Sequence, residues 1–214
     1  VQFWITNLPF PISGILRIYY SENRPSKKIE ALFHFFEATA QFLNITALSL
    51  LSSKEETDKV YRSAWVEPKK ERSNWYKNAS FGDWIQMGFR ISKSINKHNL
   101  IPKKESSREY EELGKPAKPF LSVLAKKDIW KILNQTNDLR NRWKGHGGVP
   151  SYSEEIQRAE KLEKLLHDLR EATQGGLQEV EILKPVESVL KGGTYTNTVK
   201  VLVGNETPYK RIKV

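Results

Sequence analysis

Residues 26–53, SKKIEALFHFFEATAQFLNITALSLLSS, decide the fold class. Ile29, Leu32, Phe33, Phe36, Ala40, Leu43, Ala47 and Leu50 recur at the three- and four-residue spacing of a single helix face. Phe35, Phe42 and Ile45 make the remaining sides nearly apolar as well. A helix that is apolar all round belongs at the centre of a bundle, because only neighbours on every side take its surface out of water. Ser26 stands where it can cap the start, and Glu30 lies in the first turns, where the helix dipole favours an acid.

Outward from this helix, the N-terminal side begins with Leu8-Pro9-Phe10-Pro11. Each proline restricts itself and its predecessor to extended geometry, so these four residues, which break the apolar run 1–10, read as an extended lead-in. Pro11 can then sit in the first turn of an amphipathic helix over 12–21, with Ile12, Ile15, Leu16, Tyr19 and Tyr20 on one face. On the C-terminal side, residues 66–79 read as a basic, aromatic loop. Ser80 caps a helix over about 81–98, and three prolines make 99–119 an irregular connection. A further helix is expected over about 120–141. After the glycines at 145, 147 and 148, Ser151 or Ser153 caps a last one that ends near Gln174.

Beyond Gly175-Gly176 the hydrophobic period changes from helical to two. Residues 177–183, 186–190, 194–203 and 211–214 read as strands, joined at Gly192-Gly193 and Gly204-Asn205. The expected architecture is therefore mainly α. A helical bundle of about five helices occupies residues 1–175, followed by a short β-rich C-terminal segment over 176–214. A chain that starts at Val1 and whose last strand runs to Val214 without a tail is expected to be a piece of a longer protein, with further domains C-terminal to residue 214.

The composition narrows the chemistry. There are no cysteines among 214 residues and four histidines, so no disulfide framework, Cys-ligated metal or thiol nucleophile is available, and no cofactor or metal is expected. No apolar run reaches membrane-spanning length and no signal peptide is evident, so a cytoplasmic protein is expected. The formal net charge of +10 favours acidic partners. Residues 68–108 carry ten Lys and Arg against three acids, and residues 115–146 eight against two, so the rest of the chain is net acidic. Lys69, Lys70 and Arg72 interleave with Trp65, Trp75 and Tyr76, a combination that can hold RNA by phosphate attraction and base stacking. The bland alternative is a solvated basic face over core aromatics. No strand–glycine loop–helix with a lysine supports nucleotide hydrolysis.

One run stands out: Asn137-Asp138-Leu139-Arg140-Asn141-Arg142-Trp143-Lys144-Gly145-His146-Gly147-Gly148, between the last two helices. Arginine forks onto phosphate oxygens, and histidine exchanges protons near neutral pH. The spacing of Arg140 and His146, with Asn141 beside the arginine, resembles the R-x(4–6)-H motif of the HEPN superfamily, helical bundles found in many bacterial toxin and defence ribonucleases. The Leu-Pro-Phe-Pro start, the Phe-rich helix with His34-Phe-Phe-Glu37 and the helix start Phe81-Gly82-Asp83-Trp84 extend the resemblance over about residues 8–172. It implies a domain that binds RNA and cleaves it without metal, in phage defence or a toxin system. Arg140 would be the phosphate clamp, Asn141 an orienting group and His146 the general acid or base. It also implies a homodimer that pairs two motifs across one cleft. His34 and Glu37, one turn apart, would support the site, and Arg142 and Lys144 would add phosphate contacts. The alternative is a non-catalytic dimerisation or regulatory module of a larger defence or restriction-related protein, with Arg140 paired to Asp138 or Glu37.

Overall fold

A computed structural model of the chain describes residues 2–52, 61–62, 78–98, 100–101, 117–145, 149–204 and 211–213. These form seven α-helices and a small antiparallel sheet, so the protein is mainly helical with a β-rich C-terminal end. The helices are α1 (Gln2–Asn7), α2 (Phe10–Ser21), α3 (Pro25–Ser52), α4 (Phe81–Lys97), α5 (Ala117–Ala125), α6 (Lys127–Gly145) and α7 (Tyr152–Thr173). A 3₁₀ turn at Leu177–Glu179 leads to β1 (Leu183–Lys191), β2 (Thr194–Val201) and β3 (Arg211–Lys213), in the order β1-β2-β3.

α3 is the axis of the bundle. Its 28 residues span about 42 Å at the α-helical rise, and α2, α4, α6 and α7 pack around it. Leu32, Phe35, Phe36, Ala40, Leu43, Ala47 and Leu51 are fully buried. The expectation of an all-round apolar helix needs one correction. Lys27, Glu30 and His34 are exposed and Glu37 is half-buried, at three- or four-residue intervals down one stripe, which half-buried Gln41 and exposed Ile45 continue in steps of four. Ile45, counted as core from its side chain alone, is 57% exposed. The helix begins at Pro25, so Ser26 lies inside its first turn rather than capping it.

The extended lead-in is also corrected: Pro9 is extended, but Phe10 already begins α2, and Gln2–Asn7 before it, left unassigned by the sequence reading, is helical. Trp4 and Leu8 bury themselves against the core, and this burial outweighs the local signal of the two prolines. The helix expected over 120–141 is two helices, α5 and α6, broken at Lys126 without Gly or Pro. Side chains take up the carbonyls the break releases. Ser92 Oγ and Asn96 Nδ2 of α4 both donate to Ala125 O at 2.9 Å, and Trp130 Nε1 donates to Leu124 O at 3.2 Å. Capping boxes start α4, through Ser80 and Asp83, and α7, through Ser151 and Glu154. Across the bundle, buried Tyr19 of α2 donates to Glu163 Oε1 of α7 at 2.6 Å, and burial with that contact pushes its phenol far upward.

At the C-terminal end three strands replace the four expected. Residues 177–182 lie outside the sheet, and 183–191 is a single strand that passes through Pro185. Its register against β2 shifts between Pro185 and Glu187, an edge-strand bulge that accommodates a residue without an N–H. Gly192 and Gly193, with φ of 57° and 83°, make the two-residue hairpin turn to β2. The sheet is tied back to the start of the chain, since Phe10 N donates to Leu202 O at 3.1 Å and Gly204 N to Leu8 O at 2.8 Å. Among the described residues no helix is long and apolar enough to cross a membrane.

Two predictions follow from the packing. Gly88 of α4 lies directly under the fully buried Trp130 indole, and a Cβ there would occupy space the ring fills. Helix propensity alone would make Gly88→Ala stabilising by about 1 kcal/mol. Overpacking is expected to win and lower the unfolding free energy by about 1–3 kcal/mol in urea titration; an unchanged or raised midpoint would contradict this packing. In the α7 cap, Glu154 accepts from Ser151 N at 2.7 Å and from Ser151 Oγ at 2.9 Å, and those bonds hold its carboxyl below the usual range. A depressed folded-state value stabilises above the unfolded value, near 4.3. That stabilisation is lost as pH falls through the folded value. Acid should therefore loosen the start of α7 below about pH 4, read as faster amide exchange there. Glu154→Gln should remove that pH dependence, whereas Ser151→Ala, which keeps the backbone N–H bond to Glu154, should only weaken it.

Candidate functional site

The open stripe of α3 forms one wall of a cleft of about 300 Å³. α6 builds a second wall through helical spacing. Arg140, Trp143 and Lys144, at i, i+3 and i+4, share the side that faces α3. α7 supplies Glu155 and Arg158, one turn apart. Ile29, Phe33, Trp143 and Pro150 give the cleft an apolar lining, and His34, Glu37, Arg140, Lys144, Glu155 and Arg158 give it charge of both signs. A neighbouring hollow of about 450 Å³ lies between α2 and α3 and shares Glu30 and His34, so this part of α3 divides two depressions.

Arg140 Nη1 lies 3.2 Å from Glu37 Oε2, with the two side chains only 25% and 20% exposed. This joins α6 to α3 at the cleft. Asp138 instead accepts from Asn134 Nδ2 at 3.1 Å. Lys27 Nζ sits 2.7 Å from Glu30 Oε2 and holds that carboxyl below the usual range, with weaker pulls from His34 and Lys144. The Phe33 and Trp143 rings meet edge to face, 5.7 Å between centroids, and the Arg158 guanidinium lies over the Trp143 ring at 5.2 Å.

The structure thus brings together Arg140, Lys144, His34 and Glu37 from the residues singled out in the sequence. Asn141 and Arg142 are exposed and do not line the cleft, being turned to the other side of α6. His34 is exposed and lines the cleft with half-buried Glu37. His146, with Gly147 and Gly148, lies outside the described residues, as do Lys69, Lys70 and Arg72. Three cleft residues escaped the sequence reading: Trp143, Glu155 and Arg158. Trp143 carried a usable signal, because it stands between Arg142 and Lys144 in the same cation–aromatic pattern that drew attention to residues 65–77. Glu155 and Arg158 carried none, since α7 reads as an ordinary amphipathic helix.

Chemically, the cleft offers a guanidinium for an anion, an imidazole that can exchange protons, and an aromatic surface. Among the described residues no group of three or more His, Asp or Glu side chains is placed to hold a metal ion. Comparison with protein-family models, with curated protein sequences and with solved structures gives no match.

An anion arriving on Arg140 meets Glu37 as a competitor. At about 6 Å and an effective dielectric constant between about 80 and about 20, one carboxylate repels one phosphate charge by about 0.7–2.8 kcal/mol. Glu37→Gln is therefore expected to tighten binding of inorganic phosphate at this cleft by roughly 3- to 100-fold, measured by calorimetric titration at low salt. Weaker binding in that variant would show that Glu37 aligns Arg140 instead of competing for it.

Proposed function

We infer that this chain is a HEPN-like, RNA-binding helical domain that cleaves RNA without a metal. Arg140 is the phosphate clamp and His146 the general acid or base. What supports the reading is the cleft itself: α6 puts Arg140 and Lys144 on the same solvent-open depression as His34 of α3. Cleavage needs the 2′-hydroxyl deprotonated, the phosphorane charge neutralised and the 5′-oxygen protonated. An arginine and a histidine on one phosphate meet those needs. Two copies facing each other across a two-fold axis would double these groups around one strand, so a homodimer belongs to the proposal.

One observation favours a second reading. The Arg140–Glu37 ion pair already satisfies part of the guanidinium. The same residues would then hold α6 on α3 in a non-catalytic dimerisation or regulatory module.

The two readings separate in one assay. Labelled single-stranded RNA is incubated in EDTA with the wild-type protein and with Arg140→Ala and His146→Ala. Cleavage by the wild type is expected to persist in EDTA. Loss of the proton-transfer group should slow it by roughly 10²–10⁴-fold, with helical content unchanged by circular dichroism. If wild type and both variants are equally inert, the catalytic reading is wrong and the module reading replaces it.

A further inference from the structure

The cleft contains more than a phosphate clamp needs. Beside Arg140 lies an aromatic surface, Trp143 braced by the edge of Phe33, with Ile29 and Pro150 completing the apolar lining. Arg158 projects over the indole at 5.2 Å, a separation wider than a close stack. It is half-buried on a flexible stem, so its guanidinium can lift to let a flat group in. Glu155 lines the same cleft, half-buried, and its carboxylate has no hydrogen bond or ion pair among the described residues. At about 300 Å³ the space is at the small end of ligand pockets. It admits one nucleotide rather than a run of them.

We propose that this cleft is a single-nucleotide pocket. The phosphate rests on Arg140, an unpaired base lies between the Trp143 indole and the Arg158 guanidinium, and Glu155 accepts from the base's amino edge. Sandwiching between an aromatic ring and an arginine plane is a general way to hold a splayed base. A carboxylate beside the base selects for N–H donors. Guanine, which presents a ring N–H and an amino group side by side, satisfies Glu155 with two parallel bonds. Uracil presents a single N–H between two carbonyls and places an acceptor against the carboxylate. The pocket therefore prefers guanine to uracil. This inference rests on the RNA-binding reading for its biological ligand, while its chemistry is tested without RNA.

The test is calorimetric titration with guanosine 5′-monophosphate, uridine 5′-monophosphate and ribose 5-phosphate, which share a phosphate and a ribose. The guanosine nucleotide is expected to bind at least about fivefold more tightly than ribose 5-phosphate, the lower end of what one base–aromatic stack supplies. Trp143→Leu and Arg158→Ala should each reduce that preference, whereas Trp143→Tyr should keep it. Glu155→Gln should erase the guanosine-over-uridine preference without weakening ribose 5-phosphate, whose phosphate loses a nearby negative charge. Circular dichroism identifies a variant that has failed to fold; if Trp143→Leu does, the half-exposed Arg158 carries the test. Equal binding of ribose 5-phosphate and the guanosine nucleotide overturns the pocket, and so does a preference that survives in folded Trp143→Leu. A parallel titration with labelled single-stranded RNA keeps the two ideas apart. RNA binding without base preference removes only the pocket, and nucleotide binding without RNA binding removes only the RNA reading.

Discussion

The fold depends on the burial of α3. A helix about 42 Å long with Phe35, Phe36, Leu32 and Leu43 at zero exposure is stable only if other helices enclose it. Among the described residues α2, α4, α6 and α7, with a smaller contact from α5, do so, and they leave one polar stripe open. The stripe's charged residues, Lys27, Glu30 and Glu37, could not have been buried without partners, because an unpaired charge inside a bundle costs roughly several kcal/mol. The candidate site lies where the enclosing shell is interrupted, against the rigid central element.

The walls of the cleft are set by the same packing. α6 buries Ile129, Trp130, Leu133 and Leu139. Once those four face inward, helical geometry turns Arg140 and Trp143 toward α3 and leaves Asn141 and Arg142 in solvent. Trp130 reaches its place only because Gly88 of α4 has no side chain, so the orientation of α6 traces back to one glycine. The capping box at Ser151 fixes where α7 begins, and Glu155 and Arg158 follow one and two turns on. Local capping, core shape and the charge of the cleft are consecutive steps of one construction.

Much of this was legible in the sequence, and what was not has physical causes. The 3.6-residue period placed α2, α3, α4 and α7 within a few residues, and the Ser80 and Ser151 caps could be read from side-chain chemistry alone. The break at Lys126 was not legible. Nothing local stops that helix, and the side chains that donate to the freed Ala125 carbonyl, Ser92 and Asn96, come from about thirty residues earlier. Likewise α1 forms in spite of its neighbouring prolines because Trp4 and Leu8 find the core. In the site, the sequence offered Asp138 and Glu37 alike as partners for Arg140, and the packing of α6 on α3 selects Glu37. His34 and Glu37 could be read as neighbours one turn apart, and only the packing of neighbouring helices shows that this part of α3 is the side left uncovered. Arg158 over Trp143 joins residues from two helices that no spacing rule connects.

The central claim is that the uncovered stripe of α3, with Arg140 and Trp143 opposite it, is where nucleic acid binds. It is tested most directly by nuclear magnetic resonance of the protein carrying nitrogen-15 in its arginine and tryptophan side chains, titrated with a short single-stranded RNA. The account predicts that the Arg140 Nε–H and Trp143 indole N–H signals move together and saturate with the RNA, while the buried Trp130 indole stays still. Shifts that gather on the C-terminal sheet or elsewhere, with Arg140 and Trp143 unmoved at saturation, would contradict it.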